Sequence, residues 1–112
     1  VQLSLHAQYI LERTDKSVIE TDKGFIIYSF TDPTTVYIED IYTLPEYRKS
    51  HIATELANQV INIAKAKGCT KALGSVCPSA KNSTASLSVL IAYGMTLDSC
   101  HNNFILFKKD IS

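Results

Sequence analysis

The sequence predicts an α/β (α+β) domain: a mixed, mostly antiparallel sheet with a central parallel strand pair and helices on both faces. Three observations carry that expectation. Within residues 50–67, Ile52, Leu56, Val60 and Ala64 recur every fourth position with Ala53, Ala57 and Ile61 beside them. This is the buried face of one long helix, and Gly68 follows as its C-cap. The helix lies between two strand-like runs, "VYIEDIYTL" and "TKALGSVCP". A strand–helix–strand unit requires a right-handed crossover and a parallel pair, here 36–44 beside 71–77. Finally, hairpin signals flank the unit on both sides, and hairpins pair antiparallel.

The elements follow in order. Residues 7–13 form a short helix after an extended lead-in, carried by Ile10 and Leu11. "SVIETDKGFIIYSF" is a hairpin with strands at 17–20 and 25–30 and a turn over Asp22, Lys23 and Gly24. "TDPTT" is a second turn, with Pro33 preset for it. The strand at 36–44 is rich in β-branched and aromatic residues and ends at Pro45. After the long helix, the strand at 71–77 is stopped by Pro78. Residues 79–84 make a polar loop of helix-capping types, leading to a helix over about 85–93 that stops at Gly94. "MTLDSC" and "NFILFKK" are the last two strands, joined around His101, Asn102 and Asn103. With no repeat or linker, residues 1–112 read as a single domain.

Composition excludes several function classes. Apolar residues make up 46% and charged residues 20%, an ordinary globular balance, and the formal net charge is zero. No overall field draws in nucleic acid or an anionic membrane, and no apolar run is long enough to cross a bilayer. Cys69, Cys77 and Cys100 make an odd count without metal-ligand spacing, which points to a reducing, cytoplasmic compartment and to no metal. The six tyrosines scatter over several elements and form no stacking stripe. A homodimer is left open.

The stretch "EYRKSHIATEL" concentrates charge at the start of the long helix. First-turn amides have no intrahelical acceptor and lie at the positive end of the helix dipole. Cations there are unfavourable unless an anion offsets them, so Arg48 and Lys49 point to an anion site with phosphate as the ligand class. The position also lies beyond the carboxyl end of a parallel strand, where open α/β sheets bind ligands.

"DIYTLPEYRKSHIATEL", followed by "NSTASLSVLIAYGM", resembles the GCN5-related N-acetyltransferase (GNAT) superfamily. Its acyl-CoA motif is Arg/Gln-x-x-Gly-x-Gly/Ala, supplied here by Arg48, His51 in place of the first glycine, and Ala53. The resemblance covers 36–108, with a front end shorter than the family's usual, and in size the chain is similar to compact acetyltransferases of phage genomes. It implies a splayed parallel pair and acetyl-CoA as cosubstrate. The pyrophosphate would lie on the amides of Lys49, Ser50, His51, Ile52 and Ala53, and pantetheine beside the backbone of Ile41, Tyr42 and Thr43. A histidine at 51 must turn outward or place its ring against the phosphates as an extra donor. By the same resemblance Asn82, Ser83 and Ser86 are the candidates to contact pantetheine. Leu90 takes the position of the family's thiolate acid, so no residue inherits that role.

For chemistry, Glu39 and Asp40 interrupt an otherwise apolar strand. Alternation puts Glu39 with Tyr37 and Ile41, and Asp40 with Ile38 and Tyr42, so that one carboxylate faces each side of the sheet. Burying an unpaired carboxylate is costly, so each needs a partner, a cleft or a raised pKa. A strand-end carboxylate paired with Lys or Arg is one reading. The other is catalytic: Glu39 as general base, as a similar "ED" pair implies by resemblance, with Asp40 as amine binder or second candidate. A Cys77–His51–Asp40 nucleophilic triad is the rival enzyme reading. The expected function is transfer of an acetyl group from acetyl-CoA to a primary amine. A degenerate CoA-binding or protein-interaction module is the alternative.

Overall fold

The computed structural model describes residues 4–48, 50–76, 83–101 and 104–112. Ser4 caps α1, Leu5–Arg13: its Oγ accepts from the Ala7 amide at 3.1 Å. That cap explains why the helix begins two residues ahead of the periodic signal. The chain continues through β1 (Ser17–Glu20), β2 (Gly24–Asp32) and β3 (Thr35–Thr43). A single 3₁₀ turn at Pro45–Tyr47 leads to α2 (Ile52–Ala66), followed by β4 (Lys71–Val76). Then come α3 (Ser83–Ala92), β5 (Thr96–His101) and β6 (Phe104–Asp110). The sheet order is β1-β2-β3-β4-β6-β5. Among the described residues only β3 and β4 pair in parallel.

Strand register sorts the side chains. Ile26 and Tyr28 of β2 stand opposite Ile41 and Ile38 of β3, and Val36 and Ile38 stand beside Ala72 and Gly74 of β4. These residues, or partners packed on them, join Leu56, Val60 and Ala64 of α2 and Leu90 of α3 in one core cluster. Ile26, Val36, Leu56 and Val60 are fully buried, each contributing about 1.5–3 kcal/mol of transfer free energy. Gly74 admits Leu90: a Cβ there would lie 3.0 Å from Leu90 Cδ2. So α2 and α3 share one face. On the other face the rings of His6 in α1 and Phe25 in β2 meet at 6.3 Å, and Phe25 stacks on Tyr42 at 5.6 Å. Helices therefore lie on both faces, as the sequence predicts.

Gly68 closes α2 at φ 90°, the left-handed C-cap expected from its position. The proposed turn at residues 101–103 and the strand end at Cys77 lie partly or wholly outside the described residues.

Candidate active site

The parallel pair is short. β3 and β4 are in register from Thr35 beside Lys71 to Ile38 beside Gly74, and no further. Beyond that point Asp40 to Thr43 keep β2 as neighbour, while Ser75 and Val76 keep β6. The two strands part, and the edge of β3 facing the gap has backbone groups without a β4 partner.

A β-bulge stands where they part. Tyr28 pairs with Ile38, but Ile27 pairs with Asp40, leaving Glu39 as the extra residue. A bulge bends its strand and adds twist, which accounts for the divergence from β4. It also corrects the alternation predicted from sequence. Ile41 falls on the face of Ile38, opposite Ile26, while Asp40 and Tyr42 fall opposite Ile27 and Phe25. Tyr37, opposite Ser29, is on that second face, and Glu39 follows it two residues on. Glu39 and Asp40 thus lie on the same face, the α1 face, rather than one on each side. A period of two cannot survive one inserted residue.

The two carboxylates have different surroundings. Glu39 Oε1 accepts from Lys16 Nζ at 2.6 Å, across β2. Asp40 is exposed as a residue, yet its carboxyl is partly desolvated. That desolvation pushes its pKa above the usual carboxylate value, a hydrogen bond from the Ile41 amide opposes the rise, and the Glu39 charge adds to it. Beside them the hydroxyls of Tyr37 and Ser75 meet at 2.6 Å, bridging β3 and β4 at the point of parting.

The other half of the site is the start of α2. Its first intrahelical bond runs from the Glu55 amide to the His51 carbonyl at 3.0 Å, so the amides of Ile52, Ala53 and Thr54 have no acceptor within the helix. The Ser50 amide donates to the Tyr47 carbonyl at 3.1 Å, which removes it from the set of amides aimed at a ligand. His51 is the N-cap, with φ 63° and ψ 19°, and makes no side-chain cap bond. It is the one non-glycine at positive φ among the described residues. Glycine takes this conformation without strain, which explains why a glycine suits the position; histidine holds it at a cost of about 1–2 kcal/mol. Arg48 ties helix start to strand end: its Nε donates to the Thr43 carbonyl at 3.1 Å, and its guanidinium lies 5.7 Å from the Tyr42 ring. Glu55 in the first turn already offsets part of the helix dipole.

Most of the candidate residues read from the sequence lie together in the fold. Ile41, Tyr42, Thr43, Arg48, Ser50, His51, Ile52 and Ala53 all lie at the β3–α2 junction. Ser83 and Ser86 lie in the first turn of α3. Lys49, Asn82 and Cys77 lie outside the described residues, and with Cys77 goes the triad of the rival reading. Leu90 is buried in the core against Gly74, which fits no acid role. Tyr93 Oη donates to Asn58 Oδ1 of α2 at 2.6 Å. Sequence reasoning missed Lys16 and the Tyr37–Ser75 pair. Lys16 stands 23 residues from Glu39, and only the pairing of β1, β2 and β3 brings them together.

At this end of the sheet the amino terminus of α2 follows a β3 end that has parted from β4. The family model of the acetyltransferase (GNAT) family matches residues 7–87, and the chain belongs to that family. Among curated relatives, the thialysine N-epsilon-acetyltransferase of Mus musculus is 40% identical over 47 residues, 42% of this chain and 28% of that protein. The Sus scrofa enzyme of the same name is 38% identical over 47 residues. The matched segment thus spans less than a third of those relatives. The structure of PaiA N-acetyltransferase from Thermoplasma acidophilum with coenzyme A superposes with a TM-score of 0.75 at 18% identity, over 92% of this chain and 65% of that one. A GNAT family acetyltransferase from Elizabethkingia anophelis with acetyl-CoA bound gives 0.71 at 18% identity, over 95% and 81%. At that identity the likeness is one of fold.

Proposed function

We propose that the chain is an acyl-CoA-dependent N-acetyltransferase that moves an acetyl group from acetyl-CoA to a primary amine of a small molecule or a protein, acting in the cytoplasm. The observation that carries the reading is the junction where β3 leaves β4 with Glu39 and Asp40 on its bulge and α2 begins just beyond. Structural neighbours solved with CoA and acetyl-CoA, and relatives named for acetyl transfer to an amine, support it.

In this proposal the pyrophosphate sits on the amides of His51, Ile52 and Ala53, with Arg48, Lys49 and Ser50 around it and the imidazole of His51 as a further donor. Pantetheine runs along the open edge of β3 at Ile41, Tyr42 and Thr43, with Asn82, Ser83 and Ser86 on its other side. An amine acceptor arrives protonated near neutral pH, and Glu39 removes the proton, directly or through water, while Asp40 holds the ammonium. The amine attacks the thioester carbonyl, and the thiolate departs to be protonated by another group or by solvent. The relatives' name points to lysine-like amines as the first acceptors to try.

A second reading has its own observation. Glu39 is already held in an ion pair with Lys16, and His51 replaces a glycine at left-handed backbone. A chain that binds CoA without turnover would tolerate both. Acetyl-CoA stabilises the fold under either reading, since a ligand that binds only the native state must. Release of CoA thiol in the presence of amines separates them.

A further inference from the structure

Lys16 brings a primary amine directly against Glu39. Its backbone is set by the end of α1: Thr14 Oγ1 donates to the Ile10 carbonyl at 2.6 Å and accepts from the Lys16 amide at 3.1 Å. From there the side chain crosses β2 to reach the bulge. Its Nζ lies 2.6 Å from Glu39 Oε1, the shortest ion pair among the described residues. Both side chains are about one-third exposed, 38% for Lys16 and 34% for Glu39, so the pair is open to an incoming molecule. A lysine ammonium on the carboxylate proposed as base stands where an amine gives up its proton, next to the Asp40 proposed to hold an acceptor.

We propose that Lys16 is an intramolecular acceptor: in the absence of another amine, the protein acetylates its own Lys16. The proposal rests on the acetyl-CoA-dependent reading and deepens it. Glu39 takes one proton from the Lys16 ammonium, and the neutral Nζ attacks the thioester carbonyl of acetyl-CoA. The C–N bond forms, the C–S bond breaks, and the electron pair leaves with sulfur. The thiolate is protonated, so the products are Nζ-acetyl-lysine, free CoA thiol and one proton released to solvent. No oxidant or metal is required. The acetylated side chain is neutral and no longer pairs with Glu39, which is then left open to added amines.

The test is incubation of the protein with acetyl-CoA alone, followed by intact mass measurement and peptide mapping over time. One acetyl group at Lys16 is expected, formed at a rate independent of protein concentration and at least ~10-fold faster than at the exposed Lys65. Lys16→Arg keeps a cation beside Glu39 and should lose the modification, and Glu39→Gln should slow it at least ~10-fold. Thiol release with added amines is followed on the same sample. Turnover of added amines with Lys16 modified no faster than Lys65 overturns the proposal and leaves the transfer reading standing. A Lys16 rate that scales with protein concentration overturns it too, because the reaction is then between molecules. If neither Lys16 nor any added amine is acetylated, the parent reading falls and takes the proposal with it.

Discussion

His51 holds φ 63° with no side-chain cap bond, a conformation that a glycine would adopt freely. Strain kept at the position proposed to face the phosphates is what a role in binding would account for. His51→Gly is therefore expected to stabilise the ligand-free protein by about 1–2 kcal/mol, and to reduce the stabilisation given by saturating acetyl-CoA. This reverses the cost that a glycine within a helix would carry, because the structure puts residue 51 at the cap and not inside α2. Thermal melts with and without ligand check both halves; an undiminished ligand effect removes the imidazole from the phosphate site. Arg48→Ala, by losing a charge-assisted contact, should weaken acetyl-CoA stabilisation by about 1.5–3 kcal/mol. Asp40 carries a raised pKa, so its folded form binds a proton more tightly than its unfolded form. Its contribution favours folding below the ordinary value of 3.8 and is lost as pH rises through the raised one. Asp40→Asn should accordingly raise the melting temperature at neutral pH, with the difference closing as pH falls below 3.8. A difference that stays constant with pH would mean that the carboxyl is not desolvated.

At the scale of elements, the long helix, the parallel crossover and the flanking hairpins were legible because each has a periodic or turn-residue signature. α2 runs from Ile52 to Ala66 on the face that its apolar spacing marks. The bulge in β3 was not legible. "VYIEDIYTL" reads as an unbroken strand, and nothing in its residue types says that Glu39 has no partner on β2. That one residue decides that both carboxylates share the α1 face and that the strands part. The start of β2 has a tighter requirement: a Cβ on Gly24 would collide with the Tyr42 carbonyl. Gly24→Ala should push β2 away from the strand end that bears Tyr42 and Thr43. The expected destabilisation exceeds about 1 kcal/mol, measured by denaturant unfolding, with weaker acetyl-CoA binding in the folded fraction. An unchanged midpoint and unchanged binding would show that the β2–β3 contact does not position the site.

Over the whole molecule, the chain order and sheet agree with the sequence-based expectation, and the family model spans the residues of the motif, Arg48, His51 and Ala53. The half of the candidate site built from contiguous residues, strand end to helix start, could be outlined from sequence because neighbours in sequence are neighbours in space. The half that depends on strands lying side by side, Lys16 against Glu39 across β2 and Tyr37 of β3 against Ser75 of β4, could not. Acetyl transfer to an amine is the claim that joins the halves, and release of CoA thiol from acetyl-CoA in the presence of a panel of primary amines tests it most directly. The account predicts amine-dependent release at neutral pH. Glu39→Gln should lower it by about 10²–10⁴-fold with little change in acetyl-CoA affinity, and part of the loss should return at high pH, where free amine no longer needs a base. Stabilisation by acetyl-CoA with no thiol release for any amine would contradict the account and leave a CoA-binding module in its place.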